Sequence, residues 1–187
     1  MREIVDLYRR AVGEFDRRVP EIGDDQWGDP TPCTDWNVRD LVTHIVVEDL
    51  WVPPLLDGMT LEEVGDRFDG DMLGDDPHAA WAAARDAALA AAAAAPDDQA
   101  VHTSMGVTTA ADYLEQLYTD HLIHAWDLAR AVGADEELDH ELVDHCYRHL
   151  LPHEEALRAS GVFGSRVEPP GGAGPQERLL ALMGRRS

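Results

Sequence analysis

The 187-residue chain has no lysine. All fifteen of its basic residues are arginine, set against 37 acidic ones, for a formal net charge of −22. That balance excludes the basic footprint by which nucleic acid or an anionic membrane surface is bound. Cysteine is nearly as scarce: Cys33 and Cys146 stand far apart with no CxxC pair, which excludes disulfide frameworks and cysteine zinc ribbons. No apolar run approaches the roughly 20 residues that span a bilayer. The opening MREIVDLYRRAVGEF is already charged and amphipathic, which predicts no signal peptide and a cytoplasmic protein. Strand-forming sequence is confined to QAVHTSMGVTTA, a small hairpin or extended connection.

What remains is helical. Ile4, Val5, Tyr8, Ala11, Val12 and Phe15 recur at helical spacing over residues 2–19, and Pro20 closes the segment. A second helix is predicted from an N-cap at Thr34 or Asp35 to about Trp51, with Pro53 and Pro54 as its stop. A short helix is expected within TLEEVGDRFDGDMLGDD, between acidic loops. DPHAAWAAARDAALAAAAAAP has high intrinsic helix propensity, with Asp76 and Pro77 at its start. Its alanine-rich face, residues 79–95, suits close packing, either within the monomer or in a homodimer. A long helix over 109–132 ends at Gly133, and another is predicted over about 135–158 with a kink near Pro152. A short tail helix, Pro175 to Met183, follows a Pro/Gly loop. The expectation is one all-α domain over residues 1–187: a four-helix bundle core of about 2–158 and a C-terminal extension, 159–187.

Chemistry concentrates in YTDHLIHAWDLARAVG. Asp120 and His124 lie one turn apart, on the same helical face as Tyr113, Leu117, Leu128 and Ala131, with Glu115, Gln116, Thr119 and Arg130 opposite. A carboxylate and an imidazole in an apolar stripe are costly unless satisfied. An i, i+4 pair can reach one ion, and His44, on the flank of the Val38–Leu41–Ile45 stripe, is the best third ligand. A buried Asp–His hydrogen bond satisfies the pair equally well without an ion. Two nitrogens and a carboxylate oxygen suit zinc, and also iron or nickel, and three protein ligands leave a coordination position open. His121 is read as a rim residue. His140, His145, His149 and His153 form a second helical series whose spacing suits a metal, but Glu141, Asp144 and Glu154 around it favour a solvated face. Cys33, in PTPCTDW, reads as a small buried residue or a reactive thiol. Arg39 and Arg130 are predicted to point to solvent, and no arginine cluster marks an anion clamp.

Taken together, PTPCTDWNVRDLVTHIV, DHLIHAWDLARAVG and the tail VFGSRVEPPGGAGPQERLLALMGRR resemble the metal-binding, DinB-like bundle of mycothiol-dependent maleylpyruvate isomerases, in their small single-domain actinobacterial form. The resemblance covers nearly the whole chain. It implies a DinB-like four-helix bundle with a divalent metal, usually zinc, held by a histidine on the second helix and an acid-xxx-His pair on a later one. In this sequence those are His44, Asp120 and His124. Two departures separate the chain from the isomerase. Asp120 stands where the isomerase has glutamate, which brings an ion closer to that helix. The isomerase also carries a second, C-terminal domain, which is not expected here.

The resemblance thus implies a metal-dependent transferase or isomerase that activates a low-molecular-weight thiol, mycothiol, toward an electrophilic substrate. Glu48, one turn beyond His44, and Asp127, near the ligand face, are the candidates for orienting a ligand histidine or moving a proton; an ordinary helix-surface or salt-bridge role is the alternative for each. Metal-assisted hydrolysis and a non-catalytic metal- or small-ligand-binding module are the alternatives; fold alone does not choose among them. Trp126 is expected to pack away from the site.

Overall fold

The computed structural model describes residues 2–155 and 167–186. Helix α1 (Glu3–Asp16) buries Val5, Leu7, Tyr8, Ala11, Val12 and Phe15 along one side and gives way to a 3-10 turn at Val19–Glu21. Helix α2 (Val38–Leu56) begins later than the sequence predicts. Its N-cap is Asn37, whose side chain accepts from the Asp40 N–H while the Asp40 carboxylate accepts from the Asn37 N–H. Asp35 instead turns the chain, at φ +74. Nor do Pro53 and Pro54 stop the helix. They fall in its last turns, where their missing N–H groups cost two bonds, while their carbonyls still accept from Asp57 and Met59, each at 3.0 Å.

A single turn, α3 (Leu61–Val64), capped by Thr60, leads through an acidic loop to α4 (Pro77–Ala94), capped by Asp76. The alanine face of α4 is used inside the chain: Trp81, Ala84, Ala88 and Ala92 are buried, with α4 lying along α2. The predicted hairpin is present as β1 (Ala100–Thr103) and β2 (Gly106–Thr109), antiparallel, with Ala100 opposite Thr109 and Thr103 opposite Gly106.

Helix α5 (Ala110–Val132) is capped by Thr109 and closed by Gly133 at φ +74, a conformation that suits glycine. It is the centre of the bundle, packed on α1, α2 and α6. Its face opposite Asp120 is mixed: Gln116 and Arg130 are exposed and Glu115 half-buried, but Thr119 is buried, as is every residue from His121 to Ala129. A helix surrounded on all sides carries apolar residues all round, so its periodicity understates its burial.

The helix predicted over 135–158 is shorter at its start. Helix α6 spans His140–Leu150, because Asp139 caps it through the N–H groups of Glu141 and Leu142, and a 3-10 turn at Leu151–His153 holds Pro152. The end of that prediction, 156–158, lies outside the described residues. The tail helix α7 (Pro175–Leu182) packs on α6 and buries Leu179, Leu180, Ala181 and Leu182. The result is an all-α, DinB-like bundle of α1, α2, α4 and α5 with short added elements. Among the described residues no helix is long and apolar enough to cross a membrane.

Candidate functional site

The second turn of α2 and the middle of α5 face each other, and His44, Asp120 and His124 converge there. His44 Nε2 lies 2.9 Å from Asp120 Oδ2, and His124 Nε2 lies 3.3 Å from Asp120 Oδ1. The two imidazoles stand edge to face, 5.1 Å between centroids at 75°. Burial disfavours the Asp120 charge, but the field of His124 and the hydrogen bonds from His124 and His44 outweigh it and hold the carboxyl well below its usual range. Burial likewise opposes protonation of His124, yet Asp120, then Asp127 and Cys33, raise its proton affinity well above that of a free imidazole.

The other nitrogen of His124 is spoken for. Its Nδ1–H donates to Asp127 Oδ2 at 3.0 Å, one turn along α5. Asp127 is fully buried and also accepts from Arg185, Nη2 to Oδ2 at 2.8 Å and Nε to Oδ1 at 3.2 Å. Cys33 Sγ lies 3.3 Å from Asp127 Oδ2 and 3.7 Å from His124 Nδ1. With Nδ1 donating, a neutral His124 presents its Nε2 lone pair toward Asp120 and His44, the arrangement by which an outer carboxylate fixes the tautomer of a ligating imidazole.

The loop before α2 forms the lid. Thr31 N–H donates to the Trp36 carbonyl at 3.1 Å, Trp36 N–H to the Cys33 carbonyl at 3.0 Å, and Val38 N–H to the Asp29 carbonyl at 3.0 Å. This lattice sets the Trp36 ring over His44 and His124, at 4.8 and 5.7 Å between centroids. Trp36, Thr119, Ile123, Met183 and Arg185 wall a cavity of about 530 Å³ whose floor is His44, Asp120 and His124.

Among the described residues, two groups of three donor atoms lie within 4.8 Å of one another: His44–Asp120–His124 and Cys33–His124–Asp127. The second already holds a resident cation, because Arg185 Nη2 sits 2.8 Å from Asp127 and 3.4 Å from Cys33 Sγ. The first has no such cation. Its two imidazole nitrogens and one carboxylate oxygen, open to a cavity, fit a divalent transition ion.

The other sequence expectations divide. Glu48 is half-buried beside the group. Burial and the Asp120 charge raise its pKa, His44 pulling the other way, and it makes no hydrogen bond to the three. His121 is not a rim residue: it is completely buried, its Nδ1–H donating to the Leu117 carbonyl at 2.8 Å and its Nε2 lying 3.2 Å from Asp49, which accepts from Tyr8 OH at 2.7 Å. One position beyond Asp120, it faces α1 and the lower turn of α2 rather than the cavity. Arg39 and Arg130 do turn outward, to Asp71 and Glu136, and Trp126 is buried with the Arg130 guanidinium 5.2 Å from its ring. Trp36 and Arg185 escape sequence reasoning. Trp36 lies within the quoted motif PTPCTDW, so an aromatic just before a candidate ligand helix was the available signal; Arg185 had none.

Helical bundles build ligand and metal sites from side chains on facing helices, and a histidine on one helix here faces an acid–x–x–x–histidine pair on another. The comparison with known proteins is specific. The chain belongs to the family of the mycothiol maleylpyruvate isomerase N-terminal domain, whose family model matches residues 8–129, a span that holds His44, Asp120, His124 and Asp127. Two uncharacterised proteins of Mycobacterium tuberculosis, from strains CDC 1551 / Oshkosh and ATCC 25618 / H37Rv, are each 31% identical over 188 residues, covering 95% of this chain and 95% of the relative. No solved structure matches.

Proposed function

We propose that the protein holds a divalent ion, zinc before nickel or iron, on His44, Asp120 and His124, and uses it in the chemistry of a low-molecular-weight thiol, mycothiol, with a small electrophile. The reaction is a transfer or an isomerisation. The observation that carries this reading is the convergence of three donors from two helices on the floor of a cavity of about 530 Å³, with the His124 Nδ1–H held by Asp127. The family supplies the thiol. A thiol pool of this kind belongs to the cytoplasm, and the reading places the protein there.

When bound, a divalent ion lowers the pKa of a thiol in the open position, so that thiolate is present at neutral pH. The chain's own groups do the rest. Asp127 keeps the His124 Nδ1 proton in place. The Trp36 ring and Ile123 cover part of the donors, which lowers the local polarity and strengthens the charge interactions beneath them. Glu48, one turn from His44 and with its proton affinity raised by burial and by the Asp120 charge, is the group assigned to take up the thiol proton. The Arg185 guanidinium at the cavity wall is held by Asp127 and offers a cationic edge to the substrate.

The test begins with metal content by plasma mass spectrometry on untagged wild type beside His124→Ala. The wild type is expected to carry one ion per chain more than the variant. Cobalt is then substituted and mycothiol added; a thiolate-to-cobalt charge-transfer band is expected. A wild type that stays metal-free after reconstitution leaves Asp120 and the two histidines as a hydrogen-bonded cluster and removes the enzyme reading. Cobalt binding without the thiol band makes the protein a metal-binding module or a metal-dependent hydrolase.

A further inference from the structure

The histidine series on α6 is not the plain solvated face its acidic neighbours suggest. His145 and His149, one turn apart, both turn back toward α5 and meet Glu115. The Oε1 atom of Glu115 lies 3.6 Å from His145 Nδ1 and 3.7 Å from His149 Nδ1. These separations are too long for hydrogen bonds. They come close to the spacing of two ligands on one ion, about 3.4 Å for donors about 2.1 Å from a tetrahedral zinc. Glu115 Oε1 and His145 Nδ1 are shut off from solvent and have no hydrogen-bond partner. Buried polar atoms in that condition are rare and call for an ion or a bridging group.

The surroundings are preset. The His145 ring stands edge-on to Tyr118 at 5.6 Å, and the Tyr118 hydroxyl is anchored by donating to the Leu142 carbonyl. Charge favours a cation. Asp112 and Glu3 add negative potential at Glu115, while the nearby arginines are engaged elsewhere, Arg10 with Asp139 and Glu141 and Arg148 with Asp144. The group is more open than the two triads above. The half-exposed His149 ring, 5.9 Å from His153 between centroids, is the ligand that turns to close it.

We propose that Glu115, His145 and His149 form a second metal site, distinct from the cavity, that takes a first-row divalent ion of the zinc, cobalt or nickel kind and clamps α6 to α5. Two imidazoles and one carboxylate, with only the His149 ring half-exposed, make a site of the zinc and nickel type rather than a calcium or magnesium site, which is built from oxygen donors. His145 and His149 also line a shallow, acidic surface cleft of about 580 Å³ with Glu3, Asp6, Glu141 and Asp144; the role assigned to the ion is structural, because it joins α6 to α5.

The experiment uses untagged full-length protein carrying His44→Ala and His124→Ala, so that the cavity triad no longer contributes. Zinc binding is followed by equilibrium dialysis and calorimetry near neutral pH. One equivalent is expected to remain. His149→Ala, at a half-exposed position that does not threaten folding, is expected to weaken it by more than about tenfold, since even outer-shell partners of metals cost about 10–100-fold. Glu115→Gln is expected to do the same. In the background protein, substoichiometric cobalt is expected to broaden the imidazole resonances of His145 and His149 before those of His78, His102 and His140. A background variant that binds no zinc overturns the proposal. So does zinc retained with unchanged affinity after His149→Ala, or broadening that spares both rings. Each result is independent of whether the cavity triad holds metal in the wild type.

Discussion

Replacing Asp127 by asparagine separates the parts of the site. The carboxylate is fully buried and takes four contacts: His124 Nδ1 at 3.0 Å, Arg185 Nη2 at 2.8 Å and Nε at 3.2 Å, and Cys33 Sγ at 3.3 Å. An amide of the same shape keeps one acceptor oxygen and turns a donor toward groups that already donate. It also leaves the Arg185 guanidinium, only 13% exposed, without its counter-charge. Removing one partner of a buried ion pair costs about 3–5 kcal/mol. Arg185 stands at the cavity wall and can turn partly toward water, so the lower end, about 3 kcal/mol, is expected in urea unfolding of the chelator-treated protein. Zinc affinity is expected to fall by about 10–100-fold as His124 loses its fixed tautomer, which is about 1.4–2.8 kcal/mol. Asp127 also raises the proton affinity of His124, and its removal eases proton competition, so the zinc titration belongs at alkaline pH, where the imidazole is neutral in both proteins. Adding Arg185→Ala to Asp127→Asn is expected to restore part of the lost stability, because the unpaired guanidinium is gone. If Asp127→Asn unfolds and binds zinc within about 0.5 kcal/mol of wild type, the scatter of neutral surface changes, then Asp127 does not hold His124.

Other outcomes follow from the same geometry. In the metal-free protein the raised His124 pKa means that its ion pair with Asp120 stabilises below the unfolded-state pKa and is lost as pH rises through the folded-state value. Zinc uptake near neutral pH should therefore release about one proton per ion, read from binding heats in buffers of different ionisation enthalpy; no release would refute the protonated imidazole. Asp139→Ala should cost about 1 kcal/mol through loss of the α6 N-cap. Burial opposes its charge, but the Arg10 bond and the capped N–H groups depress the Asp139 pKa, so that penalty should be present above about pH 4 and shrink on further acidification, and a pH-independent penalty would assign the effect to helix propensity instead. Gly133→Ala, at φ +74, should lower the thermal midpoint through about 1 kcal/mol of left-handed strain; an unchanged midpoint would mean the α5 terminus is free to rearrange. Ala88→Leu, at a position with no exposure between α4 and α2, should cost about 1–3 kcal/mol from overpacking, whereas a neutral result would mean that the α2–α4 interface is loosely packed.

Most of the secondary structure was legible because it is written in local terms. Helical spacing of apolar residues marks α1 and α5, Asp76–Pro77 marks the start of α4, and Gly133 marks the end of α5. The misplaced boundaries came where two local signals competed. Asn37 with Asp40 outbid Thr34 and Asp35 as a cap through a reciprocal bond that only the folded backbone shows, and two prolines near a helix end proved compatible with its last turns.

The pairing of Asp120 with His124 was likewise present in the sequence, since an i, i+4 spacing on one helix is a geometric fact. His44 needed one further step, the meeting of α2 with α5, and the apolar stripe beside it was enough to suggest that. The rest belongs to tertiary structure. His121 was misread because projection gives a direction around the helix and not what lies there, and α1 supplies Tyr8 against the Asp49 that buries it. The loop lattice that lowers Trp36 onto the two imidazoles depends on backbone bonds across the 29–38 turn. Arg185 reaches Asp127 from 58 residues away and Cys33 from 152. Sequence periodicity records which side of a helix avoids water, because that preference acts on each residue where it stands. Which distant side chain completes a buried charge is decided only when the packed core brings the two together and makes leaving either one alone costly.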